Sequence, residues 1–227
     1  MCGISGYIGK EIIEQPIIHQ TLNLMKRRGP DHQDYRFIKQ NSFNIYLLHS
    51  RLSIIDLDKR SNQPYTQDGC TLVFNGEIYN YIELRDTLKR QGIKCQTTSD
   101  TEILLRYYLL YGEDCVNHFE GMWAFAIYDE GRKNLFLSRD RFAEKPLYYC
   151  RTEDGFYFSS EIKTIKSLSG KTPTINQRHL LRYLVQGYKS LYKVDETFFK
   201  EISEIKYATN FVVNPDLKIR SYRYWEP

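Results

Sequence analysis

GMWAFAIYDEGRKNLFLSRDRFAEKPLYYCRTEDGFYFSS, residues 121–160, reads as four strands in immediate succession. Its runs are MWAFAIYD (122–129), NLFLSRD (134–140), PLYYC (146–150) and GFYFSS (155–160). Each is rich in β-forming residues and is bounded by Gly, Asp, Asn or Pro. Strand runs lying next to each other, with helices only interspersed, argue for antiparallel sheets rather than a doubly wound parallel sheet. Neither a G-x-G-x-x-G run nor a P-loop occurs anywhere in the chain.

Outward from that block, residues 2–9 (CGISGYIG) read as a strand at the start of the chain, and 43–49 and 71–75 (TLVFN) as two more. Residues 80–91 read as a helix: Asn80 and Glu83 resemble a capping box, Leu84 and Leu88 share a face, and Gly92 stops it. Residues 100–111 read as a second helix, with Ser99 and Glu102 as the capping box. Leu104, Tyr107, Tyr108 and Tyr111 form its stripe, and Gly112 ends it. Helical pattern returns near 161–166 and again at 176–186, where Leu181, Leu184 and Val185 share a face. Strand-like pieces follow at 210–214 and 218–224. A soft boundary near 190 divides a main domain (1–190) from a C-terminal arm, or the start of a linker to an absent second domain (191–227).

The chain of 227 residues is 41% apolar and 15% aromatic, enough to bury a sizeable core and to exclude disorder. A net charge of +4, spread among nearly balanced acids and bases, leaves no footprint for nucleic acid or a membrane surface. The cysteines at 2, 70, 95, 115 and 150 are odd in number and far apart. They read as reduced thiols in a cytoplasmic protein, with no metal site. The opening MCGISGYIGKE has neither a basic n-region nor a long apolar run, so no leader or membrane span is expected.

Cys2 carries the chemistry. Removal of the initiator Met would leave one residue with both a thiol and a free α-amine. An α-amine has a pKa of roughly 7.7–8.0, so near neutrality it can accept the thiol proton, directly or through a water. Nucleophile and base then travel together. In isolation Cys2 would read as a small buried apolar residue; the rest of the chain decides against that.

MCGISGYIG (1–9), RRGPDHQD (27–34), LHSRLSIIDL (48–57), FNGEIYNY (74–81), TSDTE (98–102), FEGMWAFAIYD (119–129), SRDRFAEKPLYY (138–149) and FSSEIK (158–163) occur in this order. Together they resemble the N-terminal glutaminase domain of glutamine-hydrolysing asparagine synthetase, a class II amidotransferase among the N-terminal-nucleophile hydrolases. The resemblance is dense from residue 2 to about 165. It implies an α+β fold, a four-layer αββα sandwich of two antiparallel sheets. It implies hydrolysis of L-glutamine to glutamate and ammonia through a thioester on Cys2.

By the same resemblance Arg51 grips the glutamine carboxylate, for which a guanidinium offers a planar fork of donors. Leu52, Ser53, Ile54 and Ile55 shape the pocket. Asn75 and Gly76 supply the oxyanion hole. Asn-Gly is also the commonest two-residue hairpin turn, but the segment after Gly76 runs into a helix rather than a returning strand. Glu77 and Asp100 take the substrate ammonium, although Asp100 in a first helical turn would offset the helix dipole in any case. Arg28, Gly29, Pro30 and Asp31 form a fixed turn behind the nucleophile. RDRFAEKPLYY forms part of the wall facing a partner domain. No cofactor is implied for the glutaminase step.

Two departures stand out. Ala143 occupies a position where the family commonly has Gly, and KYATN (206–210) replaces a Pro-Gly turn. If positive φ is required, alanine is strained by around a kcal/mol or more. His49, two residues before Arg51, is a rival base in a Cys2–His49 dyad. The chain has no adjacent glycine pair, so the family's pyrophosphate loop, with its ATP and Mg, is expected in a synthetase domain or subunit that receives the ammonia. Aspartate is the expected acceptor, with a surface sugar acid or a non-catalytic glutamine-sensing role as alternatives. A homodimer is left open.

Overall fold

Alternation sorts the first strand between two cores. The computed structural model describes residues 1–188 and 196–226. In chain order the described strands are β1 (Gly3–Gly9), β2 (His32–Lys39), β3 (Asn44–Arg51), β4 (Tyr65–Gln67), β5 (Cys70–Ile78) and β6 (Gly121–Asp129). They continue with β7 (Asn134–Arg139), β8 (Tyr148–Arg151), β9 (Gly155–Ser159), β10 (Ser203–Glu204), β11 (Thr209–Val213) and β12 (Ile219–Arg223). Successive side chains on a strand face opposite ways. Ile4 and Ile8 of β1 therefore enter one cluster with Ile45 and Leu47 of β3 and Val73 of β5. Tyr7 turns the other way, into a cluster with Tyr46 and Leu48.

Two six-stranded sheets result, in the orders β10-β8-β9-β1-β3-β2 and β12-β11-β7-β6-β5-β4. Among the described residues their strand pairings are antiparallel, including those in the 121–160 block. The first core lies between the sheets. Helices α1 (Gln15–Met25) and α4 (Ile162–Ser169) cover the outer face of the first sheet through Ile18, Leu22, Met25, Ile165 and Leu168. Helices α2 (Tyr81–Arg90) and α3 (Asp100–Tyr111) cover the second sheet through Leu84, Leu88, Leu104, Tyr107 and Tyr108. The four layers are those expected. Each such large apolar side chain contributes about 1.5–3 kcal/mol on burial.

Several local expectations change. Asn80 does not cap α2; its amide instead donates to His118 O (2.9 Å) and accepts from Glu120 N (3.0 Å), tying the helix start to β6. At α3 only half of the box forms. Ser99 Oγ accepts from Thr101 N (3.1 Å), while Glu102 turns upstream to the N–H groups of Gln96 and Thr97 and pairs with Arg106. Helix α5 (Gln177–Gln186) forms, but its apolar residues Leu181, Leu184 and Val185 face solvent.

The expected arm is a correction. Over residues 203–223 it is sheet: β10 pairs with β8, and β11 with β7 and β12. Bare edges of β7 and β8 would present unpaired backbone groups, and these strands cover them. The expected boundary near 190 lies outside the described residues. None of the helices in the described residues is long and apolar enough to cross a membrane.

Candidate active site

The chain passes from β1 to the site through Cys2, and from β3 through Arg51. On β3, Ile45 and Leu47 point between the sheets, so His49 and Arg51 share that direction. On β5, Val73 points between the sheets from the opposite side, and Asn75 follows it. The end of the sandwich thus brings Cys2, Arg51 and Asn75 to one cleft. Cys2, Arg51, Leu52, Ile54, Ile55, Asn75, Gly76, Glu77 and Asp100 all line it. Ser53 does not; its N–H is taken by Asp31 Oδ2 (2.7 Å).

The 28–31 turn lies behind this wall. Arg28 Nε donates to Cys2 O (2.9 Å), and Asp31 N donates to Arg51 O (3.0 Å). Gly29 is required by close approach: a Cβ there would sit 2.3 Å from Ser50 C and O. One turn therefore fixes the backbone beside both Cys2 and Arg51.

Cys2 Sγ lies 3.4 Å from Leu52 N, which donates to it, and 3.6 Å from Leu52 O. Burial pushes the thiol pKa up, while the Leu52 N–H, the charged amino terminus and Arg51 pull it back. Met1 also lines the cleft, and the Cys2 nitrogen is a peptide nitrogen in this state. Arg51 is buried, and its terminal nitrogens are engaged with Asp58 O (3.1 Å), Asn62 Oδ1 (2.6 Å), Ile55 O (3.4 Å) and Asp56 O. It braces the 52–58 loop.

The facing wall differs. Asn75-Gly76 is not a hairpin turn; β5 runs through it to Ile78. Asn75 pairs with Ala124 and Gly76 with Trp123. Odd-numbered neighbours of β5 bond toward β6, as Tyr79 N does to Glu120 O and Gly69 O does from Glu130 N. Even-numbered residues bond the other way, toward β4. But β4 stops opposite Cys70–Leu72, so beyond it the β5 edge has no strand partner among the described residues. Side chains take over: Phe74 N donates to Gln63 Oε1 (2.6 Å), and Ile78 N to Asp100 Oδ2 (3.1 Å). Gly76, between them, presents its N–H on this edge. A Cβ at Gly76 would meet Met122 O at 2.2 Å, so no other residue fits. Asn75 Nδ2 is buried with no hydrogen-bond partner among the described residues.

Asp100 is buried, and desolvation raises its pKa from 3.8 to about 6 against the hydrogen bonds from Ile78, Ser99 and Thr101; Glu77 adds to the rise. A cation near Asp100 and Glu77 would relieve both. The rival dyad does not form: His49 is fully buried, donates from Nε2 to Phe74 O (3.1 Å), and leaves Nδ1 without a partner among the described residues. Burial lowers its pKa to about 3.

Sequence reasoning missed Gln63, Thr101 and Lys145, which also line the cleft. Lys145 had a signal, since it ends the RDRFAEK loop expected to form a wall. That loop is built on buried Asp140, whose carboxylate accepts from the N–H groups of Trp123, Phe142, Glu144 and Lys145. Gln63 had none. Among the described residues no group of three or more His, Cys, Asp or Glu is placed to hold a metal ion.

A family model described as a glutamine amidotransferase domain matches residues 1–225. A putative glutamine-hydrolysing asparagine synthetase 2 of Methanocaldococcus jannaschii is 36% identical over 248 residues, covering 100% of this chain and 47% of that protein. Glutamine-hydrolysing asparagine synthetase 3 of Bacillus subtilis is 33% identical over 232 residues, covering 99% of this chain and 36% of its own length. The chain thus spans less than half the length of these relatives. Glutamine phosphoribosylpyrophosphate amidotransferase from B. subtilis shares the fold, with a TM-score of 0.70 at 18% identity, over 100% of this chain and 50% of that one. The chain belongs to the glutamine amidotransferase domain family and corresponds to the glutaminase part of glutamine-hydrolysing asparagine synthetases.

Proposed function

We propose that this domain hydrolyses L-glutamine to glutamate and ammonia through a γ-glutamyl thioester on Cys2, and that the ammonia serves ATP-dependent amidation of aspartate by a synthetase domain or subunit. The supporting observation is that the cleft holding the Cys2 thiol also holds the unpartnered Asn75 Nδ2 and the edge N–H of Gly76.

Removal of Met1 frees the α-amine of Cys2. The amine takes the thiol proton, and sulfur attacks the carboxamide carbon. Negative charge gathers on the amide oxygen, where Asn75 Nδ2 and Gly76 N–H donate; such donors act in a site that needs no reorganisation. The protonated amine returns its proton to the leaving nitrogen, and ammonia departs. Water then attacks the thioester, and the thiol is regenerated with glutamate. Glu77 and Asp100 receive the substrate ammonium, and its carboxylate faces the backbone of 52–55 and the positive charge of Arg51, whose terminal nitrogens already hold the loop. ATP and Mg belong to the synthetase part, and the glutaminase step needs neither.

The test uses Met-processed protein, with glutamine for ammonia release and a glutamine-analogue electrophile for labelling. The expected result is ammonia release and one label, on the Cys2 peptide. Glutamine binding without ammonia would reassign the domain as a sensor. A label on another side chain would remove Cys2 from the mechanism. With the full-length protein, an amide formed on a sugar acid rather than aspartate would change the acceptor.

A further inference from the structure

Phe74 lies immediately before the Asn75-Gly76 pair, and neither of its backbone polar groups is held by a strand on the open edge of β5. Its N–H goes to Gln63 Oε1 (2.6 Å) and its C=O accepts from His49 Nε2 (3.1 Å). Gln63 Nε2 in turn reaches Thr101 Oγ1 (3.3 Å), next to Asp100. His49 sits on β3 of the other sheet, two residues before Arg51. The two side chains therefore replace the strand that β4 fails to provide, and His49 joins the opposing sheets at that level.

We propose that His49 is a positioning residue for the oxyanion site: with Gln63, it clamps the Phe74 peptide groups and so fixes where Asn75 Nδ2 and Gly76 N–H stand relative to Cys2. This rests on the glutaminase function proposed above. His49 is completely buried, and burial disfavours its charged form, so it remains a neutral Nε2–H donor over the working pH range. Its donor reaches a backbone oxygen rather than sulfur, so it moves no proton in the reaction. A misplaced oxyanion donor slows only steps that build charge on the carbonyl oxygen. Alkylation of the thiol by iodoacetamide builds no such charge: sulfur forms a bond to carbon and iodide leaves.

The experiment compares wild type, His49→Leu, His49→Gln and Gln63→Leu as Met-processed full chains. It reads glutamine kcat and KM, the iodoacetamide rate at the Cys2 peptide, and hydrogen exchange over residues 74–78. His49→Leu should lower kcat by roughly tenfold to a hundredfold, less than loss of a donor itself. KM and the alkylation rate should stay within about twofold, and exchange at 74–78 should quicken. His49→Gln, which keeps a donor at the ε position, should recover most of kcat. Gln63→Leu should act in the same direction and serves if His49→Leu does not fold. Unchanged kcat and exchange would overturn the clamp. Alkylation slowed in step with kcat would make His49 the base instead, and equal losses in the Leu and Gln variants would reduce it to packing. A wild type that releases no ammonia would refute the glutaminase function alone, because exchange at 74–78 still tests the clamp.

Discussion

The two walls of the cleft are built on opposite terms. On the wall from the first sheet most polar groups near the reacting end are engaged, Arg28 Nη2 and His49 Nδ1 being left over: Arg28 Nε holds Cys2 O, Asp31 holds the Arg51 and Ser53 backbone, and Arg51 holds the 52–58 loop. On the wall from the second sheet Asn75 Nδ2 is buried without a partner and Asp100 is kept ionised only at a cost. A buried donor left unsatisfied costs about 1–3 kcal/mol. The first wall is mainly a scaffold that fixes geometry. The second holds unfilled hydrogen-bonding capacity and unbalanced charge, both of which a bound amino acid would complete.

That contrast breaks most visibly at Asn75. Asn75→Ala should lower kcat for glutamine about 10²–10³-fold, as removal of an oxyanion donor does elsewhere. Its melting temperature should not fall, because the amide donor has no protein partner to lose. Steady-state kinetics alongside thermal unfolding decide the matter. A large drop in melting temperature with little change in kcat would place Asn75 on the scaffold side.

Arg51 should behave in the opposite way. Arg51→Met strands the carbonyls of Ile55, Asp56 and Asp58 and the Asn62 side chain, and should cost about 2–4 kcal/mol of stability. KM for glutamine should rise with it. Denaturant unfolding at constant m-value measures the first effect. A variant with a high KM and wild-type stability would show that the loop contacts contribute nothing.

Asp100 lets pH separate fold from function. Its pKa is raised from 3.8 to about 6, so between those values the folded chain binds more protons than the unfolded chain. Stability therefore falls as pH rises through this window, and the gap corresponds to about 3 kcal/mol. Glutamine binding runs the other way: the ammonium needs the carboxylate, so affinity should fall as pH drops below about 6. Asp100→Asn should flatten both trends, stabilising the free domain above pH 6 by up to about 2 kcal/mol while weakening glutamine. Titration calorimetry and unfolding between about pH 4 and 8, a span that takes in both pKa values, would show it. A variant that loses stability at pH 7 would contradict the desolvation account.

The scaffold wall was the more legible of the two in the sequence. Cys2, Arg51 and the 28–31 turn carry recognisable residue types, and the strands β1 and β3, buried along their whole length, read as short apolar runs. On the other wall Asn75-Gly76 resembles a hairpin turn, and only the absence of a strand partner beyond Leu72 makes its donors available. Nothing in a one-dimensional pattern records where β4 stops, so Gln63 and His49 gave no sign of their partners. β2 was missed for a related reason: as an edge strand it buries only Ile38, which leaves almost no alternation to read. α1 had a usable signal in Pro16 and the buried Ile18, Leu22 and Met25, at helical spacing. α5 teaches the reverse lesson. Leu181, Leu184 and Val185 do share a face, but periodicity specifies a stripe and not what lies against it.

The smallest expected effect concerns the rim that joins the walls. Ala143 and Ala208 have φ of 56° and 50°, and both donate their N–H to Asp140 O (3.3 and 2.8 Å). The left-handed conformation costs an alanine roughly 1–2 kcal/mol, while glycine, more flexible when unfolded, returns roughly 0.5–1 of that gain. Ala143 is partly exposed, so Ala143→Gly should stabilise the domain by about 0.5 kcal/mol, a small upward shift in melting temperature. Ala208 is fully buried, and deleting its methyl group also forfeits about 0.8 kcal/mol of burial, so Ala208→Gly should come out near neutral. Neither change touches a cleft-lining side chain, so both should leave kcat alone. If Ala143→Gly instead lowered the melting temperature and Ala208→Gly raised it, burial rather than backbone strain would govern the rim, and the loop holding Lys145 would depend on packing instead of the Asp140 hydrogen bonds.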